Sequence, residues 1–91
     1  MTEEQFHDAL YDCRLLGGVS REDFEAAKKI EEILDNDNVL SKKEAGVVMT
    51  VTLNGFEEGV LKWEDNVTEE EAREIYDAAI KKLKAAAGVE S

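Results

Sequence analysis

The sequence has no proline and only one cysteine, one histidine and one tryptophan. A single cysteine excludes an intramolecular disulfide and a thiolate-rich zinc site, so Cys13 is best interpreted as a small core residue. Apolar runs are only a few residues long, far below the ~20 that a membrane helix needs, and Glu3 and Glu4 occupy the region where a signal peptide is basic. We therefore expect a cytoplasmic protein with no membrane contact.

Basic residues are scarce relative to acidic ones. The chain has 11 Lys and Arg against 22 Asp and Glu, which gives a net charge of −11. A field of this sign repels phosphates, so direct nucleic-acid binding is disfavoured, whereas a basic protein surface is attracted. A length of 91 residues suffices for one hydrophobic core, so we expect a single domain over 1–91, with residues 88–91 as a frayed tail.

Three segments have helical periodicity, and each begins with a capping box, in which two side chains satisfy free backbone N–H groups. The boxes are Thr2 with Gln5, Ser20 with Asp23, and Thr68 with Glu71. The predicted helices cover residues 3–16, 21–34 and 69–86. The first of them is expected to end at Gly17-Gly18. Their predicted buried faces are Phe6, Ala9, Leu10 and Cys13; Phe24, Ala27, Ile30, Ile33 and Leu34; and Ala72, Ile75, Tyr76, Ala79, Ile80 and Leu83.

Residues 47–53 and 59–64 are predicted to form a β-hairpin. The first stretch is β-branched and alternating, and the turn signal Asn54-Gly55 follows it. Matching the apolar faces of the two strands favours a loop with an odd number of residues. The predicted inner face is Val47, Met49, Val51, Leu53, Leu61 and Trp63, with Val48, Thr50, Thr52, Val60 and Lys62 outward. The predicted fold class is thus α+β, in the order α-α-β-β-α, although Ser41 and Glu44 also form a capping box that could start a short extra helical turn.

The sequence offers little for catalysis. His7 and Cys13 are six residues apart on one helix and point in nearly opposite directions, so they cannot form a nucleophilic pair. The run 35–38 resembles the start of a calcium loop, but Leu40 replaces the required glycine and Gly46 the required glutamate. No glycine-rich phosphate loop or zinc-ligand spacing occurs. We therefore predict a non-enzymatic protein without cofactor or metal.

The arrangement of acids on the first helix is the most informative feature. Glu4, Asp8 and Asp12 follow one another at four-residue spacing, with no Lys or Arg three or four residues from any of them. Such a stripe, with roughly 6 Å of rise between members, repels itself at a cost of some tenths of a kcal/mol per pair. A basic groove would recover that cost, whereas the alternative is that the acids only maintain solubility.

Further predicted partner-binding residues lie outside this stripe. Glu22 and Glu25 on the second helix, and Glu70 and Glu74 on the third, would add long-range attraction. Phe56 in the predicted turn is either an exposed aromatic anchor or a side chain that folds back on the end of the sheet.

The leading hypothesis is a binding protein that occludes a basic, nucleic-acid-binding site on a partner protein. Stoichiometric inhibitors among viral anti-defence and anti-CRISPR proteins illustrate this class. The alternative is an assembly or adaptor module that forms a homodimer through the hairpin edge. A third class, a carboxylate-based metal enzyme, has no support in the residue spacing.

Overall fold

The computed structural model describes residues 1–15 and 21–89, and these residues form five α-helices and no β-strand. The helices are α1 (Glu3–Leu15), α2 (Arg21–Leu34), α3 (Lys42–Asn54), α4 (Glu58–Asp65) and α5 (Glu69–Ala87). The predicted α+β class is therefore wrong, because both predicted strands are helical.

Helix α1 begins at the predicted residue, and its predicted last residue, Leu16, lies outside the described residues. The Gln5 backbone N–H donates to Thr2 Oγ1 (3.1 Å), and the Thr2 N–H donates to Gln5 Oε1 (2.8 Å), which completes the capping box. The predicted apolar face of Phe6, Ala9, Leu10 and Cys13 is buried. The predicted corner at Gly17-Gly18 and the box between Ser20 and Asp23 involve residues outside those whose side chains the structure describes.

The second helix has the predicted bounds and packs extensively against α1. Ala27, Ile30 and Leu34 are buried, whereas Phe24 is exposed, contrary to prediction. The helix ends in the polar run 35–38, where the Asn38 N–H donates to Asn36 Oδ1 (3.0 Å). This side-chain turn redirects the chain towards α3.

Helix α3 occupies the segment predicted as the first strand. Its start is the Ser41 box: the Glu44 N–H donates to Ser41 Oγ (3.1 Å) and the Ser41 N–H donates to Glu44 Oε1 (3.0 Å). The box thus begins a helix of 13 residues and not the short turn that we considered. Gly55 ends α3 with a φ of 69°, a conformation that favours glycine, and its N–H donates to the Val51 carbonyl.

The β-branched run is compatible with a helix because α3 is buried on two sides. Val47 packs with Leu61 of α4, whereas the next residue, Val48, belongs to the larger core formed with α1, α2 and α5. Thr50, predicted outward, is also buried, and Thr52 Oγ1 donates to the Val48 carbonyl (2.7 Å). Apolar contacts on both sides remove the 3.6-residue periodicity by which a helix is recognised.

Helix α4 corrects the prediction for the second strand. Leu61 is fully buried, but Trp63, predicted on the same inner face, is 86% exposed. Residues two apart share one face of a strand, whereas on a helix they diverge by roughly 200°. Leu53, which was also predicted to lie on the inner face, is half-exposed. Asn66 ends α4 in the left-handed conformation.

The last helix extends one residue beyond its predicted end. Thr68 Oγ1 accepts a hydrogen bond from the Glu71 N–H (3.2 Å), and Gly88 ends the helix with a φ of 70°. Four residues of the predicted face are buried, namely Ala72, Ala79, Ile80 and Leu83, while Ile75 and Tyr76 are partly buried. Helix α5 thereby joins both parts of the core, since Ala72 contributes to the α3–α4 cluster and Leu83 to the larger one.

Candidate partner-binding surface

Helix α1 separates its apolar and acidic residues. Phe6, Ala9, Leu10 and Cys13 are buried, whereas Glu4 and Asp8 are exposed and Asp12 is partly exposed. Because the acids lie at successive four-residue positions, they form one stripe along the solvent side of the helix. We call Glu4, Asp8 and Asp12 the α1 stripe.

Two basic side chains near the start of α1, Lys84 and His7, are directed to Glu3 and not to the stripe. Lys84 Nζ of α5 donates to Glu3 Oε1 (2.6 Å), and His7 Nε2 lies 3.8 Å from the same oxygen. The hydrogen bond from Lys84 holds the pKa of Glu3 below its usual value. Among side chains that the structure describes, no cation forms an ion pair with a member of the α1 stripe. The α1 stripe is therefore an acidic surface for which the described side chains provide no ion-pair partner.

Tyr11 is a neighbour of the α1 stripe that was not among the predicted partner-binding residues. Its side chain is half-exposed, and it follows Asp8 by three residues, so the two lie on adjacent turns of the same face. Its spacing of seven and three residues from Glu4 and Asp8 already indicated that it lies on the same face of the helix. The exposed Tyr11 ring lies beside the carboxylates, so a partner could contact an aromatic side chain as well as the acidic ones.

The other predicted acidic residues lie elsewhere. Glu25 on α2 is exposed, and the Glu22 side chain is not among those described. Glu70 and Glu74 are exposed near the start of α5. They precede Lys84, where α5 reaches α1, by roughly 21 and 15 Å of helix rise. These acids can therefore add to the α1 stripe only through the long-range field.

Phe56 folds back onto α5. Its ring makes an edge contact with the Tyr76 ring, with 5.5 Å between the centroids, and the Arg73 guanidinium lies 4.3 Å above its centroid. Phe56 is only partly exposed. Of the two predicted alternatives, the structure supports the packed side chain, although it packs on a helix and not on the end of a sheet.

Trp63 is the most exposed of the large hydrophobic side chains that the structure describes. Exposed carboxylates flank Trp63 in the sequence, because Glu57 and Glu58 precede it by six and five residues and Glu64 follows it directly. Because Trp63 was predicted to lie on the buried face of a strand, it was not among the predicted partner-binding residues. Its surface is distinct from the α1 stripe, because α4 packs on α3 and α5 whereas α1 packs mainly on α2.

Two surface clefts border α3. One of about 230 Å³ lies against α2 and includes Cys13, Leu34 and Met49 in its lining. The other, of about 470 Å³, lies against α4 and includes Lys42, Thr50 and Asp65. In the described part of the chain, no group of three or more His, Cys, Asp or Glu side chains is arranged to hold a metal ion.

A membrane-spanning helix is not found either: over the described ranges, none is both long enough and apolar enough to cross a bilayer. No protein-family model matches the sequence, and comparisons with curated proteins and with solved structures also give no match.

Proposed function

We propose that the protein is a non-catalytic, cytoplasmic binding protein that occludes a basic site on a partner protein, most specifically a site that binds nucleic acid. The observation behind this proposal is the α1 stripe, which has no ion-pair partner among the described side chains and lies on the solvent side of a helix whose opposite face is buried. A net charge of −11 supplies the long-range attraction, and the stripe supplies a local array of carboxylates for lysine and arginine side chains.

The physical argument concerns where the charge is left unpaired. Exposed ion pairs are worth little, so the protein has little to gain from pairing every acid internally. Glu3 and Glu44 nevertheless pair with lysines of α5, at 2.6 and 2.8 Å, whereas the α1 stripe accumulates three carboxylates on one helix without a described partner. A basic groove would relieve this repulsion on binding, and the relief favours a charged partner over a neutral one.

The alternative of a homodimer formed through a hairpin edge loses its basis, because residues 47–53 and 59–64 are helical and present no strand edge. Viral anti-defence inhibitors remain the class that illustrates the proposed mode of action. The comparison with these inhibitors rests only on the acidic charge and on the proposed mechanism of occlusion.

The proposal is tested by affinity capture from the lysate of the native host or its prey at low and high salt. The wild-type protein is compared with a variant combining Glu4→Gln, Asp8→Asn and Asp12→Asn. A matched control neutralises three other exposed acids, through Glu31→Gln, Glu32→Gln and Asp37→Asn. The control changes the net charge equally, so it separates the α1 stripe from the overall field.

We expect the wild type and the control to retain a nucleic-acid-binding protein that the stripe variant loses. Retention should also fail at high salt, where the screening length falls from ~8 Å to ~3 Å at about 1 M. A partner that withstands salt and is indifferent to the stripe variant would contradict the proposal.

A further inference from the structure

The outer face of α4 presents the only tryptophan of the chain to solvent. Leu61 is fully buried against Val47 and Val67 and fixes the orientation of α4, so Trp63, about 200° further round the helix, points away from the core. Val60 and Gly59 precede Trp63 by three and four residues, and they share its side of the helix. Val60 is partly exposed and Gly59 is exposed.

Packing against the described residues does not account for Trp63. With 86% of its surface exposed, the side chain belongs to neither of the two core clusters. Tryptophan is among the residues that contribute most to binding energy at protein interfaces, where it is buried at the centre of the contact. An indole held outward on a short helix with a buried anchor is suited to such a contact.

The surrounding charge identifies the kind of occupant. The segment 57–65 contains four carboxylates and one lysine, and Glu57, Glu58 and Glu64 are exposed. Glu57 Oε1 lies 3.8 Å from the position that a Cβ would take on Gly59, one turn before Trp63. A second copy of the chain would bring the same acids and a net charge of −11 against this face. The charge therefore opposes self-association and favours a basic surface.

Arginine is the basic side chain that suits this face best. Its planar guanidinium stacks on aromatic rings, is weakly hydrated and pairs with carboxylates through two hydrogen bonds. The chain already contains such a contact, in which Arg73 lies 4.3 Å above the Phe56 ring. Trp63 has Glu64 beside it in the sequence, and none of the described cations lies over its ring, so another molecule would supply the guanidinium there.

We infer that Trp63, with Gly59 and Val60, forms a second docking surface, which receives an arginine-presenting surface of a basic partner protein. The inference rests on the proposed function for the basic character of the partner. It adds a contact on α4, away from the α1 stripe, and it adds a preference for arginine over lysine that charge alone does not give.

The test uses an arginine-only peptide and a lysine-only peptide of equal length, titrated calorimetrically at low salt into the full chain. Wild type is compared with Trp63→Ala, Trp63→Phe and the control Leu53→Ala, which removes a half-exposed leucine from α3. We expect wild type and Leu53→Ala to prefer the arginine peptide. Trp63→Ala should weaken arginine-peptide binding by about fivefold, with little change for the lysine peptide, and Trp63→Phe should be intermediate.

An unchanged arginine preference in Trp63→Ala, or no binding of the arginine peptide by wild type, would overturn the inference. So would sedimentation showing a wild-type dimer that Trp63→Ala dissociates, because the occupant would then be a second copy. The variant combining Glu4→Gln, Asp8→Asn and Asp12→Asn is titrated in parallel. Loss of affinity for both peptides in that variant, with Trp63→Ala unchanged, would leave the proposed function standing while removing the α4 surface.

Discussion

Asp65 of α4 contacts the backbone of α3 at Gly46. The position that a Cβ would take on Gly46 lies 2.8 Å from Asp65 Oδ1, and Asp65 Oδ2 is buried without a hydrogen-bond partner in the described part of the chain. A glycine inside a helix ordinarily costs up to about 1 kcal/mol relative to alanine. Here the missing side chain makes room for the carboxylate, so α3 and α4 approach closely.

This contact predicts opposite outcomes for two glycines. Gly46→Ala should fail to stabilise the protein, because the new methyl group displaces the Asp65 carboxylate. Gly59→Ala should raise the free energy of unfolding by about 0.5 kcal/mol, because Gly59 is helical and its nearest neighbour, Glu57 Oε1, lies 3.8 Å from the Cβ position. Urea denaturation followed by circular dichroism measures both changes.

Asp65→Ala provides the control. In that background the clash is absent, and Gly46→Ala should recover a stabilisation comparable to that of Gly59→Ala. Equal stabilisation by Gly46→Ala in the presence and absence of Asp65 would show that the two residues are not coupled.

The Ser41 cap should contribute to the stability of α3, the helix that was predicted to be a strand. Ser41→Ala removes the acceptor for the Glu44 N–H and should lower the free energy of unfolding by about 1 kcal/mol. Ser41→Asp keeps a side-chain acceptor and should restore most of the loss. If Ser41→Ala were neutral, the capping box would not be an important determinant of α3.

Local sequence signals predicted three of the five described helices, and the error at α3 has a specific physical origin. The start of α1 and the bounds of α2 and α5 were predicted within one residue, because each helix has one apolar face. Helix α3 has two, with Val47 and Val48 directed into different clusters, so its apolar pattern is continuous and its valines and threonines favoured a strand. The Ser41–Glu44 box was the contrary local signal. It was outweighed because tertiary burial on two sides cannot be inferred from one segment.

The candidate surface was predictable to a similar extent. The four-residue spacing of Glu4, Asp8 and Asp12 is a local property of a helix with a clear apolar face, and the structure places all three on its solvent side. Trp63 could not be identified, because its exposure depends on α4 being a helix anchored by Leu61. Phe56 remained ambiguous until Tyr76 and Arg73 were placed beside it.

The pairing of Glu44 with Lys82 predicts a pH-dependent contribution to stability. Lys82 Nζ donates to Glu44 Oε2 (2.8 Å), and this hydrogen bond together with that from Ser41 holds the pKa of Glu44 below its usual 4.5. A carboxyl with a lowered pKa stabilises the folded state above its unfolded pKa, and the contribution disappears as the pH falls through the folded pKa. Its loss therefore begins as the pH drops below 4.5.

Glu44→Gln keeps a side chain able to complete the capping box but removes the charge. At pH 7 it should cost about 0.5 kcal/mol, a small value because Lys82 is half-exposed. The difference from wild type should shrink as the pH is lowered below 4.5, and Lys82→Met should show a similar cost at pH 7. A difference that is independent of pH would assign the loss to packing and not to charge.

Repulsion along the α1 stripe predicts that acids placed for binding destabilise the free protein. Asp12 lies in the last turn of α1, where the helix dipole disfavours an anion, and it also follows Asp8 by four residues. Asp12→Asn should therefore raise the free energy of unfolding by about 0.3–0.5 kcal/mol at low salt. Glu4→Gln should leave the free energy of unfolding nearly unchanged. It relieves the repulsion with Asp8, but it also removes a charge from the first turn, where the helix dipole favours an anion. A destabilised Asp12→Asn would indicate that Asp12 has a structural role.

The most direct test of the account is whether the protein displaces nucleic acid from its partner. The captured partner is bound to a fluorescently labelled nucleic acid at low salt, and anisotropy is followed as the wild type, the stripe variant or the charge-matched control is added. Occlusion through the α1 stripe predicts stoichiometric release by the wild type and the control, and much weaker release by the stripe variant. Equal release by all three, or a stable ternary complex without release, would contradict occlusion through the α1 stripe.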